Sequence, residues 1–111
     1  MAIKIVISDT LKFTVKGTIK NAAGIDEPFT FQLTALRLDA EAIQARLQAD
    51  NEASLADFFS DLVEDWHGVK DAEDKPMPYS HAGLKQLFKI PGIAALTFRT
   101  YLEEVGAKAK N

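Results

Sequence analysis

"LKFTVKGTIKNAAGIDEPFTFQLTALRL", residues 11–38, consists of two alternating runs around a polar turn. In the first run Leu11, Phe13, Val15 and Ile19 point one way and Lys12, Thr14, Lys16, Thr18 and Lys20 the other. That period of two belongs to a strand with one wet face. Asn21 and Gly24 supply turn chemistry, and Phe29, Phe31 and Leu33 resume the alternation. The stretch therefore predicts a β-hairpin with a loop of moderate length. "IKIVIS", residues 3–8, is a candidate third strand whose neighbour the sequence does not name.

After Leu38 the period lengthens to about 3.6 and stays there. Asp39 suits the N-cap of "AEAIQARLQAD", with Leu38 and Ile43 spaced as a hydrophobic staple. Ser54 then opens "SLADFFSDLVEDW" in a capping-box arrangement, and Leu55, Phe58, Phe59, Leu62, Val63 and Trp66 recur at helical spacing. The pattern predicts a second helix over residues 54–66, its apolar stripe seated on the hairpin. Ser80 caps a third helix, "HAGLKQLFKI", with Tyr79 and Leu84 in staple positions. Pro91 ends that helix and opens a fourth over residues 91–105, stopped by Gly106. One stripe of the fourth helix carries Ala94, Phe98, Tyr101, Leu102 and Val105; Ile93 and Leu96 lie off it. The expected architecture is one α+β domain. An antiparallel hairpin region (1–38, two or three strands) packs against about four helices in region 39–106, followed by a short mobile tail (107–111).

Composition narrows the function. With 47% hydrophobic residues in 111, the chain has enough apolar surface for a single core. A net charge of −3 gives no basic field for nucleic acid or anionic membrane. The absence of cysteine removes disulfides, thiolate zinc sites and cysteine nucleophiles. "MAIKIVISDTLKF" lacks the cationic start of a secretory signal, and no apolar run reaches the roughly eighteen residues of a membrane span. A soluble cytoplasmic protein is expected.

The most chemically loaded stretch is "EDWHGVKDAEDKPMPYSHAGL", residues 64–84, which holds both histidines. His67 falls at the expected end of the second helix, before Gly68, where an imidazole meets terminal carbonyls. His81 falls in the first turn of the third. Neither belongs to a metal-binding or His-carboxylate helical pair. Asp57, Asp61, Glu64 and Asp65 fall opposite the apolar stripe of the second helix, as a solvated face does. Asp71, Glu73 and Asp74 alternate as in a calcium loop but lack its central glycine and terminal glutamate. The stretch reads as an interhelical connection, with no catalytic residue, cofactor or metal site expected. Trp66 is either core or the anchor of a partner surface.

The segment "FSDLVEDWHGVKDAEDKPMPYSHAGLKQLFKIPGIAALTFRTYLEEVGAKAKN", residues 59–111, resembles the small tail assembly chaperones of long-tailed phages. The likeness lies in a tryptophan-glycine helix end, a short acidic loop, "PYS" before a helix, then "IPGIAALTFRTYLEE" and a lysine-asparagine finish. It implies a non-enzymatic protein of the host cytoplasm that binds the tape measure protein, brings tail tube subunits to it and leaves before the virion is complete. It also implies correspondence to the short form of such chaperones, many of which also have a frameshifted longer form. Ile93 and Leu96, off the main stripe, are expected to stay partly exposed, and Trp66, Ile93, Leu96, Phe98 and Tyr101 are the expected partner-binding residues. A weak homo-oligomer fits the same apolar helix. The alternatives are a tail completion or connector subunit retained in the virion, and a small metal-dependent enzyme built on His67, His81 and the nearby acids.

Overall fold

The alternating run closes into a long antiparallel hairpin. In the computed structural model, which describes residues 2, 9–48 and 55–106, strand β1 (Thr10–Lys20) pairs with β2 (Asp26–Leu36) without a break from Thr10↔Leu36 to Lys20↔Asp26. The loop between them is built on one side chain: Asn21 Oδ1 accepts from the backbone N–H of Ala23 at 2.8 Å and of Ile25 at 3.1 Å. The Asn21 N–H donates to the Ile25 carbonyl at 3.0 Å, and Gly24 takes the left-handed conformation, φ 79°, that this turn needs. The candidate strand at 3–8, the capping Ser54 and the tail at 107–111 lie outside the described residues.

Helix α1 (Ala40–Gln48) starts where Asp39 Oδ1 accepts from the Ala42 N–H at 2.8 Å, so the N-cap expected from the sequence is in place. The predicted second helix is mostly not a helix. Helix α2 (Leu55–Ser60) stops after six residues, the chain turns through a Leu62 N–H to Phe59 carbonyl bond of 3.0 Å, and Val63–His67 becomes strand β3. The cause is the open edge of β2, whose backbone groups require partners once β1 has taken the other side. β3 supplies them, antiparallel, with Leu33↔Trp66 and Gln32↔His67, while the Leu36 N–H reaches the Leu62 carbonyl at 2.9 Å. The register runs Ala35↔Val63 then Thr34↔Asp65, leaving Glu64 without a partner in the ladder. This bulge turns Val63 and Trp66, three residues apart, to the same buried face. Glu64 and Asp65 are therefore exposed strand residues, not part of a helical acidic face.

The last two helices follow the sequence closely. Ser80 Oγ accepts from the Gly83 N–H at 2.9 Å to cap α3 (His81–Phe88), and α4 (Ile93–Val105) begins after Pro91 and Gly92 and ends at Gly106. The result is an α+β fold: a three-stranded antiparallel sheet in the order β1-β2-β3, with α2, α3 and α4 packed on one another and α4 lying on β1.

The core fills the space between them. Phe13, Val15, Phe31, Leu33, Ala35, Val63 and Trp66 come from the sheet; Phe58, Phe59, Leu84, Ile93 and Tyr101 come from the helices. Tyr101 is its hub. Its ring meets those of Phe13, Phe58 and Phe59 edge-on, at centroid distances of 5.6, 6.2 and 5.8 Å. Its hydroxyl donates to the Leu36 carbonyl at 2.8 Å and accepts from the Leu38 N–H at 3.0 Å. Arg37, between those two residues, donates from Nη1 to the Val105 carbonyl at 3.1 Å, where a cation suits the end of a helix. The end of β2 is thus fastened to α4 through Leu36, Arg37 and Leu38.

Candidate binding groove

The loaded stretch is architecture of a kind the sequence partly discloses. Beyond β3 the chain makes a second small hairpin: Lys70 pairs with Pro76, and the Met77 N–H donates to the Val69 carbonyl at 2.9 Å. Its tip repeats the turn at residues 21–25. Asp71 Oδ1 accepts from the N–H groups of Glu73 at 2.9 Å and Lys75 at 3.0 Å, as Asn21 does from Ala23 and Ile25. The Asp71 N–H donates to the Lys75 carbonyl at 2.9 Å, and Asp74, φ 61°, holds the left-handed position that Gly24 holds in the first turn. The calcium-like spacing of these acids thus has a local cause, since one carboxylate oxygen is engaged by the turn's own backbone.

Trp66 belongs to the core. It is 7% exposed, its indole N–H donates to the Met77 carbonyl at 2.7 Å, and its ring meets that of Tyr79 edge-on at 5.3 Å. The Tyr79 hydroxyl donates to the Val63 carbonyl at 3.1 Å, tying the lead-in to α3 back onto β3. Burial raises the pKa of Tyr79 above its ordinary value, and raises that of Tyr101 too, although the Leu38 N–H and the Arg37 charge pull the latter the other way. His67 ends a strand, not the helix expected, while Gly68 after it does take a left-handed conformation, φ 90°. His81 opens α3, and both imidazoles are exposed. Among the described residues, no group of three or more histidines and acids is placed to hold a metal ion, and no helix is long and apolar enough to cross a membrane.

Of the five residues expected to meet a partner, Trp66, Ile93 and Tyr101 are buried and Leu96 and Phe98 are half-buried. The expected exposure of Ile93 does not hold: at 5% exposed it is buried, because it lies in line with Thr97 and Tyr101, four and eight residues further along the buried face of α4. Phe98 turns inward onto the rings of Phe58 and Phe59, at 5.4 and 6.4 Å. Leu96 alone combines partial exposure with a place on an open surface.

That surface is an apolar groove between the far end of the hairpin and the α3–α4 corner. It consists of two adjoining hollows of about 190 Å³ and about 130 Å³, which share Ile19, Phe29, Ile90 and Ile93. Val69 and Leu87 extend the first, Pro91 and Leu96 the second. Gly17 makes the wall close up: a Cβ there would lie 2.7 Å from the Phe29 ring and 3.0 Å from Leu96 Cδ2. Beside the groove Ile19 is 41% exposed, and Ile25 at the hairpin tip is 63% exposed. Sequence reasoning missed Ile19, Phe29 and Ile90 as site residues. The available signal was Ile19 itself, an apolar residue on the inward face so near the loop that the helices barely reach it.

Neither a protein-family model, nor a curated protein, nor a solved structure matches this chain.

Proposed function

We propose that the chain is a non-enzymatic tail assembly chaperone of a long-tailed phage, acting in the bacterial cytoplasm by binding the tape measure protein and helping to recruit tail tube subunits. One observation carries this reading. The segment on which the resemblance rests, residues 59–111, supplies Ile90, Pro91, Gly92, Ile93 and Leu96, which form the helical wall of the open apolar groove. A groove bounded by a continuously paired hairpin and a helix corner suits an apolar segment of a long partner chain.

Co-purification tests the proposal. The tagged chain, coexpressed with the tape measure protein of the same genome, retains it; Ile19→Asp, altered at an exposed position, loses it while keeping the wild-type melt. Mass spectrometry of purified virions finds the chain absent. Its presence at stoichiometric level instead favours a tail completion subunit that stays in the particle, and failure to retain the tape measure protein overturns the reading.

A further inference from the structure

The groove's charge environment says more about its occupant than its shape does. Residues 75–102, which supply α3, the corner and most of α4, contain Lys75, Lys85, Lys89 and Arg99 and no acidic residue. Seven acids lie instead in residues 57–74, ahead of this segment, and Glu103 and Glu104 follow it. One cation lines the groove and two adjoin its lining residues. Lys70 lines the larger hollow, Lys89 is exposed immediately before Ile90, and Arg99 is exposed three residues beyond Leu96, a spacing that places both on one side of α4. Among the described residues, Lys70 is paired with Asp74 at 3.4 Å in an exposed contact that a competing carboxylate replaces at little cost, and on the hairpin wall Glu27, Ile19's partner across the strands, is engaged by the Asn21 amide at 2.7 Å. A chain with net charge −3 thus presents a locally basic rim on the helical side of an apolar floor.

We infer that the groove takes an acidic amphipathic segment of a partner protein, with two large apolar side chains in the two hollows and carboxylates on Lys70, Lys89 and Arg99. Each hollow matches an anchor in size: a cavity of roughly 150 Å³ lined by aliphatic and aromatic side chains accommodates a benzene ring, and the hollows measure about 190 and about 130 Å³. Acidic flanks on the ligand set its orientation and speed its encounter, while the apolar anchors hold it. The inference rests on the reading of the chain as a binding protein and adds the chemistry of what it binds.

Selection from a displayed library of random peptides of about sixteen residues on the immobilised chain, with counter-selection on Ile19→Asp, is the test. Enriched peptides carry two large apolar residues flanked by Asp and Glu. Fluorescence anisotropy with the best of them shows binding weakened about tenfold or more between about 50 mM and about 500 mM salt, and by a similar factor in Lys89→Glu/Arg99→Glu. That double variant, altered only at exposed positions, keeps the wild-type melt. Basic or neutral peptides, failure to enrich, or affinity indifferent to salt and to charge reversal overturns the inference. So does sedimentation of the free chain as a dimer that Ile19→Asp dissociates, since a second copy then fills the groove. The two proposals fail separately. Retention of the tape measure protein unaffected by Lys89→Glu/Arg99→Glu leaves the chaperone reading standing without this one, and acidic peptides binding a chain that ignores the tape measure protein does the reverse.

Discussion

Tyr101→Phe removes a single oxygen and tests what fastens the hairpin to the helices. The hydroxyl donates to Leu36 at 2.8 Å and accepts from Leu38 at 3.0 Å, and the side chain is wholly buried. The substitution keeps the ring against Phe13, Phe58 and Phe59, so packing is retained and only the two hydrogen bonds are lost. Two backbone groups lose a protein partner at the turn from β2 into α1. At about 1 kcal/mol per net hydrogen bond, the expected loss is about 2 kcal/mol. For a domain of this size 1 kcal/mol corresponds to about 4 °C, so the calorimetric melting temperature falls by about 8 °C. Tyr79→Phe is the internal comparison: its hydroxyl makes one such bond, to Val63 at 3.1 Å, and its loss costs about half as much. A Tyr101→Phe protein melting within about 2 °C of the wild type refutes the claim that this hydroxyl clamps the hairpin base.

Thr97→Val is expected to stabilise by about 1 kcal/mol, because the Thr97 hydroxyl is fully buried without a hydrogen-bond partner and valine keeps the branched shape; a lower urea midpoint contradicts this. Asp71→Asn leaves the melt nearly unchanged, since Asn21 performs the same function in the equivalent turn, whereas Asp71→Ala costs about 1 kcal/mol. An asparagine variant as unstable as the alanine one shows that charge, not turn geometry, is what Asp71 supplies. Burial raises the pKa of Tyr79 and Tyr101 above 10.0, so the folded state holds these protons more tightly than the unfolded chain. The resulting stability is complete below about pH 10 and is lost as pH rises through the folded-state values. Urea midpoints followed upward from about pH 9 show the decline, and Tyr101→Phe flattens it.

Much of the fold was legible because local and tertiary preferences agree. The alternation from Leu11 to Leu33, the caps at Asp39 and Ser80 and the break at Pro91 each specify one conformation without help from distant residues. The strand at Val63–His67 was not legible. Its bulge at Glu64 buries Val63 and Trp66 at a spacing of three, and a spacing of three, continued from Leu55, Phe58 and Phe59, is what a helix shows. Only the unpaired edge of β2, a tertiary fact, distinguishes them. The site was legible in part for the same reason. Leu96 is identifiable by lying off the main stripe of its helix, but Ile93 lies in line with buried Thr97 and Tyr101, and the hairpin's contribution through Ile19 and Phe29 depends on where the sheet outruns the helices.

The contact surface itself provides the most direct measurement. Titrating the isotope-labelled chain with the tape measure protein and following amide chemical shifts maps what is touched. The largest changes are expected at residues 17–19, 29–31 and 87–96, the two walls of the groove. Changes centred on the acidic turn at residues 71–75 or on the wet face of the sheet, with the groove unmoved, contradict the account.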